Sequence, residues 1–274
     1  AFSPVAPALL PVDRPSSKTT RTTKLATEAV TLAEGIGPQV VEDLDKALKA
    51  RLGELQRSSD RVSFARAHVE LSISRELFSL EETEATRSAE EALSIDPRLP
   101  VAHSILRRRT HGKPHLSSML KHLEHELAFA SQEVKSVALL VEKARLLAAL
   151  ADGGDTAKNA WELALVRSPN DAAALKGLEA ELADRTFSGA KDAAEALATH
   201  LAKMADAYAG EPALAAWIHV ERAELLEWKL QKSDAARSAL ERALALDPSV
   251  GPVRNALVAH VARHSDANGL AMLL

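Results

Sequence analysis

Ala157-Lys158-Asn159-Ala160-Trp161-Glu162-Leu163-Ala164-Leu165-Val166-Arg167-Ser168-Pro169 decides how this chain folds. Ala157, Trp161 and Ala164 are separated by four and three residues, so on a helix they share one face. Pro169, five residues further, cannot continue that helix and closes it. Small residues at the outer positions let a neighbouring helix approach closely, and the large one between them fills the gap. The same spacing returns at Ala236, Leu240, Ala243 and Pro248, and again at Ala85, Ala89, Ala92 and Pro97.

The helices that precede these stretches align as well. Val69-Glu70, Val141-Glu142 and Val220-Glu221 stand at one distance before the first alanine of each pattern. Three residues after each valine comes a small residue, Ser72, Ala144 or Ala223. The three patterned segments are spaced by roughly two lengths of a 34-residue repeat, so a less typical hairpin is expected between each pair. The Ala-x3-large-x2-Ala-x4-Pro pattern resembles the second helix of a tetratricopeptide repeat (TPR). Trp161 and Leu240 occupy the family's large position, whereas Ala89 departs from it, and the family's first-helix signature is largely missing. The resemblance implies an all-α fold, an α-solenoid of stacked antiparallel helical hairpins built from TPR-like double repeats. Within each double repeat the helices are expected in the order long, long, short, long, with no sheet.

Outward from the repeats, residues 1–24 combine four prolines with a Ser/Thr/Lys run and read as a tail or linker. Residues 25–61 read as an N-terminal helical segment, with one helix at 25–34 and another at 40–56. Residues 62–274 form the repeat array. Residues 269–274 align with the start of a long helix, so the array is expected to be cut short there, with the native chain continuing or that end docking on another chain.

Of the 274 residues, 46% are hydrophobic, 26% charged and only 3% aromatic, which favours closely packed helices over sheet. A net charge of −4 supplies no general basic field for nucleic acid. The absence of cysteine removes disulfides, thiol catalysis and cysteine-ligated zinc. No run approaches the ~18 apolar residues of a membrane span. The cytoplasm is the favoured compartment, with periplasm or secretion left open.

The histidines His103, His111, His115, His122 and His125, and the pair His260 and His264, read as solvated surface groups rather than metal ligands. Arg107-Arg108-Arg109 reads as a cation-rich helix end that complements the macrodipole. Trp217 and Trp228 lie about three turns apart on one helix face. Packed on the next repeat they are core, the commoner fate; exposed, they are anchors for a partner. Glu70, Glu142 and Glu221 recur at one position in three first helices and form a candidate ladder for a partner bearing Lys or Arg. No catalytic constellation, cofactor motif or metal site is expected.

The expected role is therefore non-enzymatic: a scaffold or adaptor that holds a peptide or helix of a partner protein, with Glu70, Glu142, Glu221, Trp217 and Trp228 as the candidate contacts. The TPR resemblance implies that the first helices line the binding groove. The alternative is a regulatory or spacer segment of a larger enzyme or signalling protein.

Overall fold

The computed structural model describes residues 37–78, 82–110, 115–130, 132–150, 154–190 and 192–264. The expected tail at 1–24, the helix at 25–34 and the final helix start at 269–274 lie outside them. Among the described residues there are twelve helices and no strand. They are α1 (Pro38–Arg57), α2 (Arg61–Leu77), α3 (Glu82–Ile95), α4 (Pro100–Arg109), α5 (Leu116–Ala128), α6 (Glu133–Ala148), α7 (Gly154–Arg167), α8 (Ala172–Phe187), α9 (Ala193–Ala207), α10 (Pro212–Trp228), α11 (Ser233–Leu246) and α12 (Gly251–Arg263). The chain divides into two compact units, one ending at Ile105 and the other beginning at Leu106.

In the first unit α2 and α3 form the clearest hairpin. Ser72 donates its hydroxyl to the Ala85 carbonyl at 2.6 Å, Arg75 reaches Glu84 and Ser88, and His68 faces Glu91. As one partner number rises the other falls, which is the register of antiparallel helices. Asp60 caps α2 by accepting from the Ser63 amide at 3.0 Å. Leu52 of α1 packs on Ala67 and Leu71 of α2.

In the second unit the hairpins α6/α7, α8/α9 and α10/α11 follow one another, and α12 packs on both helices of the last. First helices also meet first helices, α6 with α8 and α10 with α12. The alanine pattern faces inward in every copy. Ala85, Ala89 and Ala92 are fully buried, as are Ala157, Ala164, Ala236 and Ala243, while Trp161 and Leu240 are almost so. Trp161 lies so close to Gly177 of α8 that a Cβ there would sit 2.5 Å from its ring. A glycine on one repeat is therefore the seat for the large residue of the repeat before it.

Three proline signals end their helices where expected. Pro97, Pro169 and Pro248 each stand two residues beyond the ends of α3, α7 and α11. Asp96 and Asp247 accept from the amides of Arg98 and Ser249, turning the chain toward the next helix. The expected short third helix is seen in α4, of 10 residues, but not in α8, which runs 16. Residues 185–187 continue α8, and within them Thr186 donates its hydroxyl to the Leu182 carbonyl at 2.7 Å. The helix stops only where Gly189 takes φ +79°. There the Ala190 amide bonds back to Arg185 and the Gly189 amide to Thr186, the paired bonds of a Schellman cap.

Candidate protein-docking surface

Helix α10 begins at Pro212, whose fixed φ suits a helix start. Its inner face carries Ala215, Ala216, Ile218, Val220, Ala223 and Leu226, all buried. Opposite them Trp217, Glu221, Glu224 and Trp228 are exposed, spaced four, three and four residues apart. That spacing makes one continuous stripe along the helix. Trp217 is 44% and Trp228 62% exposed, so the reading of these tryptophans as core is corrected.

The charge on the stripe is acidic and shared with the preceding first helix. The Glu221 side chain reaches solvent, but the helices around it partly exclude water. That desolvation, followed by the charges of Glu179 on α8 and Glu224, raises its carboxyl above the ordinary value against the pull of Lys176. Lys176 itself is paired to Glu179 at 2.7 Å. Trp228 already carries a cation: the Arg263 guanidinium lies 5.1 Å from its ring centroid.

The other two recurring glutamates stand in different company. Glu70 of α2 meets Arg51 of α1 at 2.6 Å on the surface of the first unit. Glu142 of α6 meets Arg107 of α4. Arg107 also holds Glu126 of α5 at 2.6 Å, and both of these side chains are nearly buried. Burial alone would lower the Arg107 pKa, but the Glu126 bond and charge, then Glu142, raise it. Arg107 does stand in the last turn of α4, but it is more than a helix-end cation: it is the centre of an ion network joining three helices.

The histidines divide in the same way. His103 is buried and its Nε2 lies 2.8 Å from the Pro97 carbonyl. His260 is 2% exposed and faces Glu227. Neither is a surface group, whereas His115 is exposed and His111 lies outside the described residues. His68, His200 and His219, which the sequence did not single out, are buried too. A concavity of 870 Å³ lies between the second helices α7 and α9. Leu175, Leu178 and Leu182 line it together with Val166 and Lys203.

No family model and no curated protein matches the chain. Solved structures of TPR proteins are similar to it. One is YrrB, described as a TPR protein with an unusual peptide-binding site: 14% identical, TM-score 0.46, covering 77% of this chain and 98% of that one. Another is the C-terminal part of a TPR repeat-containing protein from Cytophaga hutchinsonii, 11% identical, TM-score 0.49, covering 80% and 82%. A third, from Parabacteroides merdae, is 12% identical, TM-score 0.44, covering 88% and 99%. The fold is TPR-like. The antiparallel hairpins, the buried alanine pattern and the first-helix contacts give it that character. In the TPR-like unit from Leu106 onward, Trp217, Glu221 and Trp228 share one stripe and Glu142 sits in an internal ion network.

Proposed function

We propose that this chain is a protein-interaction scaffold, and that the outer stripe of α10 docks a basic segment of a partner protein. The observation that supports it is a pair of carboxylates that repel one another, flanked along one stripe by two exposed tryptophans. A lysine or arginine placed there relieves the repulsion around Glu221 and stacks on an indole face, as Arg263 does on Trp228. Tryptophan is also the residue type most enriched among energetic anchors of interfaces. Glu70 and Glu142 are proposed as secondary contacts, each in its own unit, because an arginine of the chain itself already shares their charge. The acidic character directs encounter and orientation more than it adds affinity.

The reading is tested with Arg/Lys-rich and Glu-rich synthetic peptides of equal length, titrated into the full chain while tryptophan fluorescence is followed. The basic peptide is expected to bind and the acidic one not, with affinity falling as salt rises. Trp217→Ala with Glu221→Gln should weaken binding roughly tenfold, or about 1.4 kcal/mol. Glu70→Gln with Glu142→Gln should weaken it less. If the double change on α10 leaves affinity intact while Val166→Arg abolishes it, the cleft between α7 and α9 is the docking surface instead.

A further inference from the structure

His260 and His264 stand one turn apart at the end of α12, facing the end of α10, where Glu227 precedes the exposed Trp228. Glu227 Oε2 is 3.1 Å from His260 Nδ1, and Glu227 Oε1 is 3.4 Å from His264 Nε2. One ligand atom from each residue can be chosen so that all three lie within 4.8 Å of one another. His260 is 98% removed from solvent, yet its Nδ1 has no hydrogen-bond partner: it is aimed at Glu227 without the alignment a hydrogen bond needs. A buried ring nitrogen in that state is costly unless something else takes its lone pair. His264 is anchored lightly, its Nε2 lying 3.0 Å from the Ser233 hydroxyl.

We propose that Glu227, His260 and His264 form a binding site for a divalent transition-metal ion of the zinc type, held between the ends of α10 and α12. Two imidazole nitrogens and one carboxylate oxygen suit zinc, cobalt or nickel, whereas calcium and magnesium require oxygen-rich shells. Tetrahedral ligands at 2.0–2.1 Å from a metal lie roughly 3.3 Å apart. The His260 Nδ1–Glu227 Oε2 separation of 3.1 Å already matches, whereas His264 Nε2 stands 3.4 Å from the other carboxylate oxygen, so the half-exposed His264 ring turns to complete a set around one oxygen. Three protein ligands leave the fourth position to water, the arrangement of an open site rather than a closed structural one.

Arg263 is the competitor. Its Nε and Nη2 donate to the two Glu227 oxygens at 3.0 and 2.7 Å, while its guanidinium rests on Trp228. The carboxylate cannot hold two cations at full strength, so metal entry releases Arg263, whose side chain is 41% exposed and free to turn outward. The exchange removes the cation from the Trp228 face. Trp228 is thereby a built-in reporter of occupancy, separate from any role it has in docking.

The test uses the full chain, cleared of metal with a chelator and titrated with Zn²⁺ alone, by calorimetry and by tryptophan fluorescence. One tight zinc per chain is expected, with a fluorescence change that Trp228→Phe abolishes while calorimetry still reads one bound zinc. His264→Ala, at a solvent-accessible position, and Glu227→Gln should each weaken that zinc at least tenfold, and Arg263→Ala should preserve or tighten it. Co²⁺ bound at the same site should show the visible bands of a four-coordinate centre. Zinc affinity indifferent to both His264→Ala and Glu227→Gln would overturn the proposal, as would the lack of any tight zinc in the unaltered chain. With chelator present in the peptide titration, its failure and the failure of the zinc site are read independently.

Discussion

At the scale of single residues, polar groups inside this chain are held by partners far away in sequence. Arg107 lies 19 residues from Glu126 and 35 from Glu142, and it bridges both with little exposure. Removing a buried partner strands the other charge, so Arg107→Met should cost about 3–5 kcal/mol. Urea unfolding checks this, and the double variant Arg107→Met with Glu126→Leu should recover much of the loss, because no charge is then left unpaired. The buried histidines carry a second consequence. Burial, the leading cause in each, lowers the pKa of His68, His200 and His219 below their ordinary 6.5. His200 meanwhile donates Nε2–H to the Leu175 carbonyl at 2.9 Å as a neutral ring. The unfolded chain then binds more protons than the folded one once pH drops below about 6.5. The stability these rings contribute is present above that pH and lost as pH falls through their folded values. Urea midpoints should fall between about pH 7.5 and 5.5, and His200→Gln should make the fall smaller.

At the scale of the element, what ends a helix proved as informative as what forms it. Pro97, Pro169 and Pro248 were legible stops because proline lacks the amide that a helix interior needs. The end of α8 has no proline to mark it; the Thr186 hydroxyl and the Schellman bonds keep its last turn closed. Gly189 supplies the left-handed residue that this cap requires. Gly189→Ala should therefore cost about 1–2 kcal/mol, the strain of placing a Cβ in that conformation. Amide exchange should quicken in the last turn of α8 before it does elsewhere. The α10 stripe is the contrasting case. Its spacing could be counted from the sequence, but whether its tryptophans faced inward or outward could not.

For the whole molecule, the relevant property is that each TPR-like hairpin touches its neighbours and little else. The seat of Trp161 on Gly177 is one such interface, joining α7 to α8. Gly177→Ala forces the indole or the helices apart and should cost about 1–3 kcal/mol. Trp161→Leu, which copies the residue at the matching position Leu240, should restore part of it, a coupling that a double-mutant cycle measures. In hydrogen exchange the Gly177→Ala variant should lose protection chiefly in α6 to α9, with α11 and α12 changed less. Uniform loss along the unit would mean that the hairpins unfold as a single block.

The sequence by itself determined the helical class, the positions of most hairpins, and the inward direction of Ala85, Ala157, Trp161, Ala236 and Leu240. It could do so because those features repeat, and because a helix face and a proline stop are local properties of a few consecutive residues. Only the tertiary structure decided that Arg107 is buried against two carboxylates, that Trp217 and Trp228 face outward, and that Glu227 meets His260 and His264. Each of those facts depends on a partner one or two helices away, or on the room left beneath a side chain by its neighbours. Periodicity records which face a residue shares; it does not record what stands across from that face. The first-helix glutamates show the difference most plainly, since one recurring position meets an arginine in two copies and repelling carboxylates in the third.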